Sequence, residues 1–155
     1  MTRESKLTVT NVTEHYISKA TPGQGKIIYE NGYNVSGHQA EINMAKWLHS
    51  TFGGDINLLK EAEVKNEKTP DFIWKGKQWE LKSASSINSA DKQLQHAIKQ
   101  IQNNPGGIVL NTMENMDIPA LERQLARRVE RSSIDAFDLM LLSKGKLLKL
   151  LRYKK

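Results

Sequence analysis

Asp71 follows Pro70 and stands nine residues before Glu80, which opens the triplet Glu80-Leu81-Lys82. Between them, Phe72-Ile73-Trp74, Lys75-Gly76-Lys77 and Gln78-Trp79 read as two short strands about a glycine-centred turn. Alternation along the second strand puts Gln78, Glu80 and Lys82 on one face, and Trp79 and Leu81 on the other. A short hairpin brings the start of its first strand near the end of its second, so Asp71 is expected to meet both Glu80 and Lys82. Two carboxylates so placed can hold Mg²⁺ (or Mn²⁺), with water and substrate phosphate completing the shell. A lysine beside them can orient or deprotonate a water and stabilise a pentavalent phosphate. The chemistry expected is metal-assisted hydrolysis of a phosphodiester, with Asp71 and Glu80 as metal ligands.

The elements that would position these groups follow from periodicity. Met44, Ala45, Leu48 and Phe52 form one face of a helix that starts near Ser36 and stops at Gly53-Gly54. Glu41 precedes Ala45 by four and Leu48 by seven, so it lies on that apolar stripe. A carboxylate there is costly unless paired, protonated or metal-bound; the plainer alternative is a helix-start charge favoured by the macrodipole. Residues 56–59 read as a strand, 61–69 as a polar loop and 83–89 as a Ser/Asn loop. Ser89 or Asp91 is expected to cap a helix with Leu94, Ala97, Ile98 and Ile101 inside. A buried strand over 108–110 follows, then a helix capped by Asp117 with Leu121, Leu125 and Val129 inward, then a hairpin of 137–142 and 147–152. The order predicts an α/β fold, a mixed central sheet flanked by helices. Residues 1–35 read as a lead-in arm or linker with a short strand at Ile27-Ile28-Tyr29, and 36–155 as the functional domain.

Composition narrows the classes. The chain has no cysteine, which excludes a disulfide scaffold, a thiolate zinc site and a cysteine nucleophile. No run of about eighteen apolar residues exists to span a membrane. The polar first ten residues lack an apolar signal core, which predicts a form not addressed for secretion. The net charge of +6 is polarised: residues 119–155 hold ten basic and four acidic groups, while residues 1–118 balance. Such a field suits nucleic acid or an acidic protein. Arg123, Arg127, Arg128 and Arg131 crowd one helix beside Lys144, Lys146, Lys149 and Arg152, so Arg123, Arg127 and Arg128 are candidate phosphate contacts; a solvated face is the alternative. Ser83, Ser85 and Ser86 could touch phosphate, although a Ser/Asn loop before a helix needs no function. Glu61 and Glu63 could replace Glu41 as a third carboxylate. His96 has no His or Cys partner nearby and makes no zinc site.

Asp71 after its proline, the Glu80-Leu81-Lys82 triplet and the helical Glu41 together resemble the PD-(D/E)xK nuclease superfamily. The resemblance covers roughly residues 36–112 and implies a restriction-endonuclease-like core. It implies catalytic roles for Glu41, Asp71, Glu80 and Lys82, and a polar helper on the next helix at Gln93, His96 or Gln100. The segments Gly53-Gly54-Asp55-Ile56-Asn57-Leu58-Leu59, Thr69-Pro70-Asp71-Phe72 and Trp79-Glu80-Leu81-Lys82 resemble more closely the C-terminal nuclease domains of polymorphic bacterial toxins, including contact-dependent growth-inhibition toxins. That resemblance implies delivery into the cytoplasm of a target cell, a cognate immunity protein, and cleavage of tRNA in preference to DNA. A DNA endonuclease of the same fold, or a non-catalytic nucleic-acid-binding module, are the other readings.

Overall fold

Two Lys-Gly dipeptides bend the chain where hairpins were expected. Lys75, Gly76, Lys144 and Gly145 all have positive φ, at 53°, 79°, 50° and 80°, the backbone of two-residue turns that match strand twist. The computed structural model describes residues 6–61 and 69–155. Its elements are β1 (Thr8–Asn11), α1 (Thr13–Ser18), β2 (Ile27–Tyr29), α2 (Gln39–Thr51), β3 (Ile56–Leu58), β4 (Phe72–Trp74), β5 (Lys77–Ala84), α3 (Ile87–Ile101), β6 (Pro105–Thr112), α4 (Ile118–Arg131), β7 (Ala136–Ser143) and β8 (Lys146–Lys154). The strands form one mixed sheet in the order β1-β8-β7-β6-β5-β4-β3-β2.

The α/β architecture with a mixed, helix-flanked sheet is as expected from the element order. β5, β6 and β7 run parallel at its centre. Residues 107–110 of β6 are all buried, as befits a strand covered on both faces. Ile108 and Leu110 face the core under α3 and α4, built from Leu94, Ile98, Leu121 and Leu125. Val109 faces the opposite core, with Leu48, Phe52, Trp74 and Trp79.

Three sequence expectations change. Residues 1–35 are not simply an arm: β1 pairs with β8 and β2 pairs with β3, closing both edges of the sheet. All four β1 residues are exposed, so long-range pairing rather than local hydrophobic pattern makes this strand. The strand expected over 108–110 begins earlier, at Pro105. Gly106 and Gly107 belong to it because Trp79 packs against them. A Cβ on Gly106 would meet the indole Nε1 at 2.3 Å, and one on Gly107 would meet the Asp138 carbonyl oxygen at 2.3 Å. Finally, Ser86 caps α3, with Ser89 returning the bond in a capping box, an arrangement worth about 1 kcal/mol. Asp91 is instead held by Arg128, whose Nε and Nη2 donate to it at 3.0 and 2.6 Å.

Candidate active site

β5 outruns its neighbour β4, and the chemistry gathers at that fork. Ladder pairing between the two ends at Phe72 opposite Trp79, while β5 continues beside β6 to Ala84. The Asp71 amide still donates to the Trp79 carbonyl at 3.1 Å. Beyond that the Asp71 side chain takes over, and Leu81 N–H donates to its Oδ2 at 2.7 Å. On the other side Leu59 N–H donates to the Asp71 carbonyl. The Asp71 backbone is thus tied to both neighbouring strands, and its carboxylate is fixed by Leu81 N–H.

Glu80 lies opposite Ile108, on the sheet face covered by α3 and α4. It is 1% exposed, and its Oε2 has no hydrogen-bond partner. Burial, then the Asp71 carboxylate within bonding reach, pushes its pKa up to about 10; the Lys82 ammonium pulls the other way. Glu41 projects from the first turn of α2, half-buried. Burial and Asp71 raise its pKa to about 7, opposed by the Tyr33 hydroxyl, which donates to Oε2 at 2.7 Å. Glu41, Asp71, Glu80 and Lys82, expected to act together, are brought within electrostatic reach of one another.

The donor set suits a hard cation. An unpartnered buried carboxylate oxygen beside a second carboxylate is what such an ion would satisfy. Among the described residues no set of three or more His, Asp and Glu side chains is spaced to hold an ion alone. The fit is therefore to two carboxylates, Asp71 and Glu80, with water and substrate oxygen supplying the rest, as Mg²⁺ prefers.

The other expected contacts divide. Ser83 and Ser85 are exposed on the rim at the end of β5. Gln93 is half-buried on α3 and His96 exposed. Gln100 Oε1 is buried and unpartnered, as is Gln78 Oε1. Arg123 and Arg127 are exposed on α4. Arg128 differs, because its guanidinium ties α4 to α3 through Asp91. The Arg128 contact lowers the Asp91 pKa. Lys149 pairs with Glu122 and Arg152 with Asp138. Glu61 is taken by His38, 2.7 Å away; Glu63 lies outside the described residues.

Sequence reasoning missed Tyr33 and His38. The only cue was the four-residue spacing of Tyr29 and Tyr33. His38 Nδ1 contacts the Asn34 carbonyl and its Nε2 contacts Glu61, which together raise its pKa. The Tyr33 ring lies 5.7 Å from Tyr29 and 5.4 Å from His38.

A second polar cluster lies on the opposite face of the sheet, two strands across from Glu80. Asp138, 8% exposed, accepts from the Tyr16 hydroxyl at 2.5 Å and from Arg152 Nε and Nη2 at 2.8 and 3.0 Å. It borders a cavity of about 280 Å³ where Lys75 Nζ sits 4.9 Å from the Trp74 ring centroid.

No protein-family profile and no curated protein matches this sequence. The fold does have a counterpart. It is similar to a chain of the CdiA-CT/CdiI toxin and immunity complex from Burkholderia pseudomallei, with TM-score 0.51 and 16% identity, over 82% of this chain and 98% of that one. At that identity the likeness is one of fold. Among the described residues no helix is long and apolar enough to cross a membrane.

Proposed function

We propose that this protein is a metal-dependent endonuclease toxin of the PD-(D/E)xK type, hydrolysing RNA phosphodiester bonds, with tRNA as first candidate. The observation that carries the reading is Glu80: a carboxylate 1% exposed, with an unpartnered oxygen, beside Asp71, Glu41 and Lys82. A buried carboxylate without a partner costs stability and is kept where a ligand completes it. The fold shared with a chain of a toxin–immunity complex supports the toxin context and an inhibitor protein as partner. The preference for tRNA over DNA rests on the sequence resemblance.

Asp71 and Glu80 would hold Mg²⁺. When bound, the ion polarises the phosphoryl oxygen and acidifies water. The chain's own groups do the rest. Leu81 N–H fixes Asp71, and Tyr33 fixes Glu41. Lys82, half-buried two residues beyond Glu80 on the same face, orients the attacking water and meets the charge developing on phosphate. Exposed Ser83, Ser85, Arg123 and Arg127 contact the backbone, which makes binding salt-dependent.

The test is cleavage of total tRNA and of plasmid DNA, each with Mg²⁺ and with EDTA. Asp71→Asn keeps an acceptor for Leu81 N–H and should lose activity about 100-fold or more with no loss of Tm. Discrete tRNA fragments that need Mg²⁺ and Asp71 support the reading. DNA nicking with the same requirements keeps the site and replaces the substrate. No cleavage of either with any divalent metal overturns it in favour of a binding module.

A further inference from the structure

The parallel strands give the sheet one chemically active rim. β2, β3, β5, β6 and β7 all point the same way, and antiparallel β4 and β8 begin where those strands end. Along this rim the chain places Tyr29, then Asp71 with Glu80, then Ser83, then the Lys144-Gly145 turn leading to Lys146. The turn is pinned to β6: Lys144 N–H donates to the Thr112 carbonyl at 2.8 Å and Gly145 N–H to Asn111 Oδ1 at 2.9 Å. Lys144 and Lys146 are exposed and have no carboxylate partner among the described residues. The rim is therefore aromatic at one end, acidic in the middle and cationic at the other.

The aromatic end is joined to the carboxylates by a bond. Tyr33 donates to Glu41 Oε2, so its ring cannot swing away without breaking that contact. Tyr29 leans on Tyr33 at an interplanar angle of 54°, and Tyr33 on His38 at 42°. Tyr29 is 41% exposed. Strand spacing puts β2 about 10 Å from β4; the Lys144 turn, two strands across from β5 and five residues further along, is roughly 20 Å from Glu80. Both lie within a few nucleotides of a phosphate held at Asp71 and Glu80. Water-facing aromatic rings beside a phosphodiester site offer a stacking surface, and a base can use one only if it has left its own helix. A duplex would present mainly backbone there.

We infer that the Tyr29–Tyr33–His38 cluster is a base-stacking platform. The substrate is then an unpaired strand, its base stacked on Tyr29 next to the cleaved phosphate and its backbone running towards Lys144 and Lys146. This rests on the nuclease reading and narrows it: folded RNA would be cut in loops or at unpaired ends. Tyr29 acts here in binding and positioning, not in the chemical step.

The test measures binding in the cleavage-deficient Asp71→Asn protein, using a labelled single-stranded oligoribonucleotide and the same sequence as a duplex. Adding Tyr29→Ala should weaken single-strand binding about tenfold, within the range of one lost base stack. Tyr29→Phe should restore it, the duplex should be unaffected, and Tm should not change. In the cleaving protein the same change should raise KM and spare kcat. Equal losses on both probes, or none, overturn the platform while wild-type cleavage stands. If the wild type neither cuts nor binds nucleic acid, both readings fall together.

Discussion

Glu80 on β5 and Asp138 on β7 flank the same central strand, and both are nearly inaccessible to water. Asp138 accepts three hydrogen bonds from Tyr16 and Arg152. Glu80 keeps an oxygen without a partner, beside other carboxylates. The first arrangement satisfies a buried charge from within the fold and pins α1 to the sheet. The second leaves a buried carboxyl oxygen unpartnered and carboxylates crowded together, at a cost in stability that only a ligand repays. Burial alone does not separate a structural carboxylate from a functional one; the partner inventory does.

Substitutions at the two sites should therefore move opposite properties. Asp138→Ala strands a guanidinium and a phenol that have lost their acceptor. It should destabilise by about 2 kcal/mol, at the low end for a broken pair because Arg152 is partly exposed. That lowers Tm by roughly 4–8 °C, with cleavage by the folded protein unchanged. Loss of activity without loss of Tm would break the separation of the two sites.

Glu80→Gln should do the reverse, abolishing cleavage while raising stability in EDTA at pH 7 by about 1 kcal/mol. The pH dependence carries the same sign. Glu41 and Glu80 bind protons more tightly folded than unfolded, so folding is favoured below their ordinary value of 4.5. Stability of the chelated wild type should fall as pH rises through about 7 and on towards about 10. Urea midpoints across that range should show a flatter curve for Glu80→Gln; superimposable curves would contradict the pairing argument.

The smallest effect is expected from Tyr16→Phe. Arg152 still holds Asp138, and the ring keeps its packing on Phe52 and Trp74, at 5.9 and 6.2 Å between centroids. The loss is one hydrogen bond, about 1 kcal/mol, read as a small fall in Tm. A drop as large as that of Asp138→Ala would make Tyr16, not Arg152, the main partner.

The carboxylates were legible because strand alternation and a two-residue turn fix where Asp71 and Glu80 must point. The helices were legible through their apolar stripes, with Glu41 conspicuous on one of them. Tyr33 was not, since it lies eight positions before Glu41 across an irregular stretch, and no periodicity connects them. β1 was hidden for a related reason: an exposed edge strand carries little hydrophobic signal and is defined by a partner 140 residues away. Arg128 looked like one of four equivalent arginines. Only the packing of α4 on α3 distinguishes it, by bringing Asp91 to its side.

The pairing of β1 with β8 sets Thr8 opposite Lys154, so the two ends of the sheet-forming chain are neighbours. Both lie at the end of the sheet where β5, β6 and β7 begin, away from the carboxylate rim. Whatever is joined to either end is carried behind the working edge, like a handle behind a blade. The same adjacency makes the chain a candidate for circular permutation: a short linker could join the old ends, and new ends could open elsewhere, with the eight-stranded order intact.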